Sequence, residues 1–283
     1  MNPRDIELEI LLKNHTPQDD FCGLTPSEID HLLYRTFSFD SPLQFQSNID
    51  NSILDRIPFF RIAEAFLKII EREKSIKLTA LGNLPRKVVI ELYENKYFLD
   101  RDIESGFIKI TKEDDCRVVS TARLTTLVAK LVKKSKGKLS LSKEGANFLK
   151  KENRVDFFKT IFRAYTVAFN WNYNDYYPES PTGQLGFAFS MYLLHLHGQN
   201  FETSDFYAEK YIKALPKLLL YFPEEGLLSI EESFKHCYGL RVIEYFFDWF
   251  GLADVVYPDT IFPEEPTKLR KNEVFNLLFK FEN

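Results

Sequence analysis

Seven cations fall within a short stretch of the chain: Arg123, Lys130, Lys133, Lys134, Lys136, Lys138 and Lys143. Side chains of this kind neutralise phosphates and release counterions, which makes nucleic-acid binding depend on salt. The same run also serves as a solvated face that keeps a domain soluble. Two facts weigh against the first reading. The whole chain carries a net charge of −4. The run holds a single Arg, whereas base readout favours Arg, Asn and Gln.

Other chemistry-bearing residues form weaker constellations. His195 and His197 lie two apart in a Leu-rich stretch with Tyr192, which reads as helix. On a helix they diverge by about 200° and cannot share one metal. His236 and Cys237 are adjacent and point apart. Asp175 and Glu179 would suit a general acid and base. Their setting, Trp171 to Glu179, mixes Asn and Asp with aromatic rings. That mixture reads more readily as a capped helix end with packed rings, or as a surface for a partner protein. Cys22, Cys116 and Cys237 are far apart and odd in number, which fits a reduced compartment and three buried or half-buried side chains. There is no Gly-x-Gly, no Gly-x-Ser-x-Gly and no Cys-x-x-Cys. The chain therefore reads as a non-enzymatic binding protein without metal or cofactor.

The elements that must carry the cations follow from local patterns. Thr25-Pro26-Ser27-Glu28 is a helix-start signature, with Ile29, Leu32 and Leu33 on one face. A second helix is predicted from about Ile57 to Glu73. Lys77-Leu78 reads as a short strand, followed by Thr79 and by a helix from Arg86 to Tyr93 behind Pro85. Ser120 or Thr121 is expected to cap a helix reaching Lys134, with Leu124, Leu127, Val128 and Leu131 as its apolar stripe. Lys136-Gly137 makes a turn, Leu139 and Leu141 alternate as in a half-buried strand, and Ser142 caps a further helix. Ile76 to Gly82 and Lys138 to Gly145 thus repeat one junction: Leu, a hydroxyl residue, two residues, Gly. A looser third version closes the chain. It runs from the helical pattern at Ser233 to Trp249 through Pro258, Pro263 and Pro266 to Leu269–Val274.

Charge and aromatics divide the same chain. Residues 1–56 carry −6, residues 57–100 carry +2, residues 101–154 carry +7 and residues 155–283 carry −7. Residues 155–283 also hold 30 of the 43 aromatic residues, and so many rings must build a core. A boundary is predicted near Lys151–Arg154. The expected parts are an acidic N-terminal helical arm (1–56), two basic winged-helix-like units (57–154) and an aromatic-rich helical domain (155–283) that ends in the third version.

Leu124 to Leu149 resembles the last helix, wing and following helix of winged-helix domains. Gly23–Glu28, Ile76–Arg86 and Phe169–Tyr176 are similar to segments in a family of uncharacterised bacterial cytosolic proteins. The resemblance implies a bacterial, cytoplasmic protein and no particular activity.

The fold class is therefore mainly α with minor β. The apolar part of Ser180–Phe201, Leu185 to Leu196, is too short to span a bilayer, and the charged N-terminus is no secretory signal. The expected partner is duplex nucleic acid, bound through the basic region, and not a membrane. The alternative is a protein–protein scaffold built on the aromatic C-terminal half.

Overall fold

The computed structural model describes residues 2–224, 228–258 and 266–282. The protein is mainly α with minor β. Its contacts gather the chain into two units: 1–47, 176–248 and 252–283 form the first, and 48–175 with 249–251 form the second.

The first unit opens with helix α1 (Pro3–Asn14), helix α2 (Pro26–Tyr34) and strand β1 (Leu43–Phe45). At α2 the Thr25 hydroxyl accepts from the Glu28 amide while the Glu28 carboxylate accepts from the Thr25 amide, the reciprocal cap that the spacing predicts. Ile29 and Leu32 are buried below it, and Leu33 is half-buried.

The second unit follows with α3 (Asn51–Leu54) and α4 (Pro58–Glu73). Helix α4 buries Phe59, Phe60, Ile62, Ala63, Phe66, Leu67, Ile69 and Ile70. The spacing makes one face apolar, and each large side chain buried there is worth about 1.5–3 kcal/mol of transfer free energy. Strand β2 (Ile76–Lys77) and helices α5 (Arg86–Glu94), α6 (Arg101–Glu104) and α7 (Arg117–Val128) come next. Then come β3 (Val132–Ser135), β4 (Lys138–Leu141), α8 (Lys143–Phe148) and α9 (Arg154–Arg163), which runs on as a π-helical stretch, Ala164–Ala168.

The two repeated junctions do not end two separate ribbons. Strands β2, β4 and β3 form one sheet in that order. Ile76 pairs with Leu139 and Lys77 with Lys138, while Lys134 and Ser135 pair with the same two residues from the other side. A two-residue strand has no adjacent hairpin partner of its own, so it takes the free edge of β4. The junction glycines also serve different ends. Gly82 closes a turn at φ +84°. Gly145 stands where a Cβ would collide with the Leu131 carbonyl oxygen, so only Gly lets α8 begin there. Ser142 caps α8 by accepting from the Gly145 amide, as predicted.

Helix α7 departs furthest from its expected form. It starts at Arg117, has no side-chain cap at Ser120 or Thr121, and stops before Lys130. Val128 is exposed, and Leu124 and Leu127 are only half-buried. The buried residues are Val118, Val119, Ala122 and, among polar ones, Ser120, Thr121, Arg123, Thr125 and Thr126. The threonine hydroxyls are satisfied inside: Thr125 donates to the Thr121 carbonyl, Thr126 to that of Arg123, and Thr121 to Asn174.

The aromatic-rich residues are shared between the units. Phe157, Phe158, Phe162, Tyr165 and Trp171 pack in the second unit, where Phe60 lies 5.0 Å from Phe157 and 5.9 Å from Phe158 between ring centroids. The charge-based boundary near Lys151–Arg154 runs through this unit. Trp249 and Phe250 complete its core, with Phe250 at 4.9 Å from Phe59, 5.3 Å from Phe162 and 5.1 Å from Tyr165.

The rest of the first unit is α10 (Phe187–His197), β5 (Glu202–Thr203), α11 (Ser204–Ala214) and α12 (Ile230–Tyr238), which continues as a π-helical stretch, Gly239–Asp248. Strands β6 (Ala253–Val256) and β7 (Lys268–Lys271), helix α13 (Glu273–Leu278) and strand β8 (Phe279–Phe281) complete it. Pro263 lies outside the described residues. The sheet order is β5-β7-β6. Its registers match those of the second unit: Leu269 pairs with Glu202 and Val255, as Leu139 pairs with Ile76 and Lys134. In both, the residue after the last strand caps a helix and its amide points to a leucine carbonyl before the first hairpin strand: Ser142 to Leu131, Asn272 to Leu252. Strand β8 then pairs antiparallel with β1.

Candidate nucleic-acid interface

The β3–β4 hairpin turns through two residues, Lys136 at φ 47° and Gly137 at φ 70°. Two left-handed residues match the twist of the flanking strands. Side chains directly opposite in an antiparallel pair share a face, and that face alternates along each strand. Lys77, Lys138 and Ser135 are in register across the three strands, and Lys133 with Ser140 lies two positions along. These five residues therefore look out from one face. Ile76, Leu139 and Val132, all buried, look into the other.

The seven cations singled out by the sequence separate into two groups. Lys130, Lys133, Lys134, Lys136, Lys138 and Lys143 are exposed. None of the six has a carboxylate partner among the described residues. Lys134 leaves the core side of the sheet with its ammonium beside Gly82, 3.7 Å from where a Cβ would stand. Lys130 is not helical: it takes φ 59°, its amide bonds the Leu127 carbonyl, and the Leu131 amide bonds that of Thr126. That pair of bonds is a left-handed helix stop, which brings α7 to its end.

Arg123 does not belong to the group. It is 6% exposed, and its Nε donates to Glu113, itself 0% exposed, at 2.5 Å. The second Glu113 oxygen accepts from the Leu84 amide at 2.6 Å. A buried guanidinium needs such a partner, and once paired it is not available to a phosphate. Conversely, Lys77 joins the group without any sign in the local pattern. It is exposed and directly across from Lys138. Its distance in sequence from the other lysines hides it, and only the β2–β4 pairing brings it in.

The remaining constellations stay apart. His195 lies tilted against Phe281 at 4.9 Å and His197 meets Phe206 edge-on at 5.2 Å. Burial lowers both imidazoles below their ordinary pKa, with Lys271 and Lys210 respectively adding to the effect. Among the described residues no group of three His, Cys, Asp or Glu side chains is placed to hold a metal. Cys116 is buried, which pushes its thiol up to about 12, Cys237 is buried and Cys22 is half-buried. Asp175 ends the turn Trp171–Asn174 in the second unit, whereas Glu179 belongs to the first. Among the described residues no helix is long and apolar enough to cross a membrane.

No curated protein and no solved structure matches the chain. Residues 55–154, which include the three-stranded sheet and all of its lysines, match the family described as the Y4jL N-terminal domain.

Proposed function

We propose that the second unit is a winged-helix-like module whose wing, the β3–β4 hairpin, binds the phosphate backbone of duplex nucleic acid. The supporting order is helix α4, strand β2, helices α5 and α7, then the hairpin, with β2 paired to the strand that returns from the turn. The observation that carries the reading is the set of exposed, unpaired lysines converging on one small sheet: Lys77, Lys133, Lys134, Lys136 and Lys138, flanked by Lys130 and Lys143. Like charges directly across a strand pair repel and destabilise the sheet. Lys77 opposite Lys138 is therefore a liability that a bound polyanion relieves.

The test is fluorescence polarisation of a labelled duplex DNA with the intact chain at low and moderate salt. Saturable binding that weakens as salt rises is expected. A variant with Lys77, Lys133, Lys136 and Lys138 all changed to Ala is expected to lose at least about tenfold in affinity, since every phosphate left without its cation weakens binding. Unchanged affinity in that variant, with its circular dichroism intact, removes the hairpin as the binding surface. Absence of binding at low salt ends the proposal.

A further inference from the structure

The wing stands next to a helix that is closed to ligands, and this bears on what the wing can read. Base edges are distinguished by donors and acceptors laid into a groove, chiefly from Arg, Asn and Gln. Helix α7, which leads into the hairpin, buries Val118 to Arg123 without interruption and again Thr125 and Thr126. Its threonine hydroxyls bond backbone or Asn174, and its Arg123 is held by Glu113. Arg117 is exposed, but it sits at the far end of α7, about 16 Å from the last residue of that helix at 1.5 Å per residue. The open face of the sheet offers only Lys77, Lys133, Lys138 and the hydroxyls of Ser135 and Ser140. Nearby, the Asn83 amide is turned to Asp114 and the Arg86 guanidinium to the Ile110 carbonyl.

The first unit supplies an internal comparison. Its sheet has the same strand order and the same registers. Where the second unit has Lys77, Lys133 and Ser135, it has Thr203, Asp254 and Val256. Arg270, in the place of Ser140, is paired with Asp254 at 2.8 Å and lies over Phe201 at 4.7 Å. What the two copies keep is the buried leucine, Leu139 or Leu269, both 0% exposed, and the lysine before it, Lys138 or Lys268. The architecture therefore does not ask for Lys77 or Lys133, whose presence in one copy has to be explained by something outside the fold.

We infer that the basic sheet holds a duplex by its phosphates alone, through Lys77, Lys133, Lys136 and Lys138, and is indifferent to base sequence. The inference rests on the nucleic-acid reading above and narrows it. Four neutralised phosphates correspond to a slope of log K against log salt of about −4.

The deciding experiment titrates the intact chain against two duplexes of equal length and unrelated sequence across a salt series. The two affinities are expected to agree within about threefold, against the roughly tenfold or greater penalty that a wrong base imposes on a reader of base edges. Lys77→Ala, Lys133→Ala and Lys138→Ala should each flatten the slope by about 1 and weaken both duplexes equally. Lys13→Ala, an exposed lysine on α1, should leave both unchanged. A preference of tenfold or more for one sequence, with binding retained, overturns indifference and leaves the nucleic-acid reading standing. No binding to either duplex at low salt overturns both.

Discussion

Lys136 and Lys130 occupy left-handed backbone positions, at φ 47° and φ 59°. An L side chain there meets its own carbonyl and costs about 1–2 kcal/mol, a cost that glycine avoids. Lys136→Gly and Lys130→Gly are therefore expected to raise stability by about 1 kcal/mol each in urea unfolding, and Lys136→Gly to lower duplex affinity as well. A drop in stability would mean that these lysines serve the fold instead. Arg123 gives the opposite test. With Arg123→Met the Glu113 carboxylate is left buried with only the Leu84 amide. Removing one partner of such a pair costs about 3–5 kcal/mol. The folded variant should still bind duplex as the parent does, because Arg123 never reaches the surface. Lost binding at unchanged stability would return Arg123 to the ligand site.

At the scale of elements, Arg154 joins three helices of the second unit. It donates to Glu64 on α4, to Asp55 after α3 and to the Asn51 carbonyl, and it opens α9 itself. Burial pushes the Glu64 carboxyl up, but hydrogen bonds from Arg154 and Lys68 outweigh it and hold the group below its ordinary value of 4.5. The folded protein thus binds this proton less readily than the unfolded chain does. The resulting stability is complete above about pH 4.5 and is lost as the pH falls below it. Glu64→Gln should lower stability at neutral pH and reduce its fall between neutral and acid. An unfolding curve with the parent's full pH dependence would show that Glu64 does not set it.

The same scale shows what is legible in the sequence. The α2 cap and the α4 face rest on residues three or four apart, so spacing alone reveals them. The Lys136-Gly137 turn and the Ser142 cap are equally local. The end of α7 is not, because it depends on a left-handed Lys130, and lysine gives no sign of that conformation. Nor is the burial of Arg123, whose partner Glu113 sits outside the helix. Lys77 is hidden for a third reason: strand pairing acts across sixty residues, where no periodicity operates.

For the whole molecule, composition locates the aromatic residues but not their allegiance. Phe157 to Trp171 pack in the second unit, and Trp249 and Phe250 join them from far along the chain. Phe250 is fully buried among Phe59, Phe162 and Tyr165. Phe250→Ala should cost about 3–5 kcal/mol through the cavity it leaves. A loss below about 1 kcal/mol would show that the surrounding rings close the gap. The match between the two sheets is also hidden, since it is written in registers and in one Lys-Leu pair per copy, Lys138-Leu139 and Lys268-Leu269.

The β1–β8 ribbon has a consequence in time. The Gln46 amide bonds the Phe279 carbonyl across 233 positions. A ribosome adding about 5–20 residues per second needs roughly 10–50 s to cover that distance. Throughout that interval β1 waits without its mate, and its Leu43, later sealed to 1% exposure, faces water. A strand synthesised early is thus among the last to be secured, and a nascent chain interrupted before β8 presents an open strand edge to proteases and to other chains.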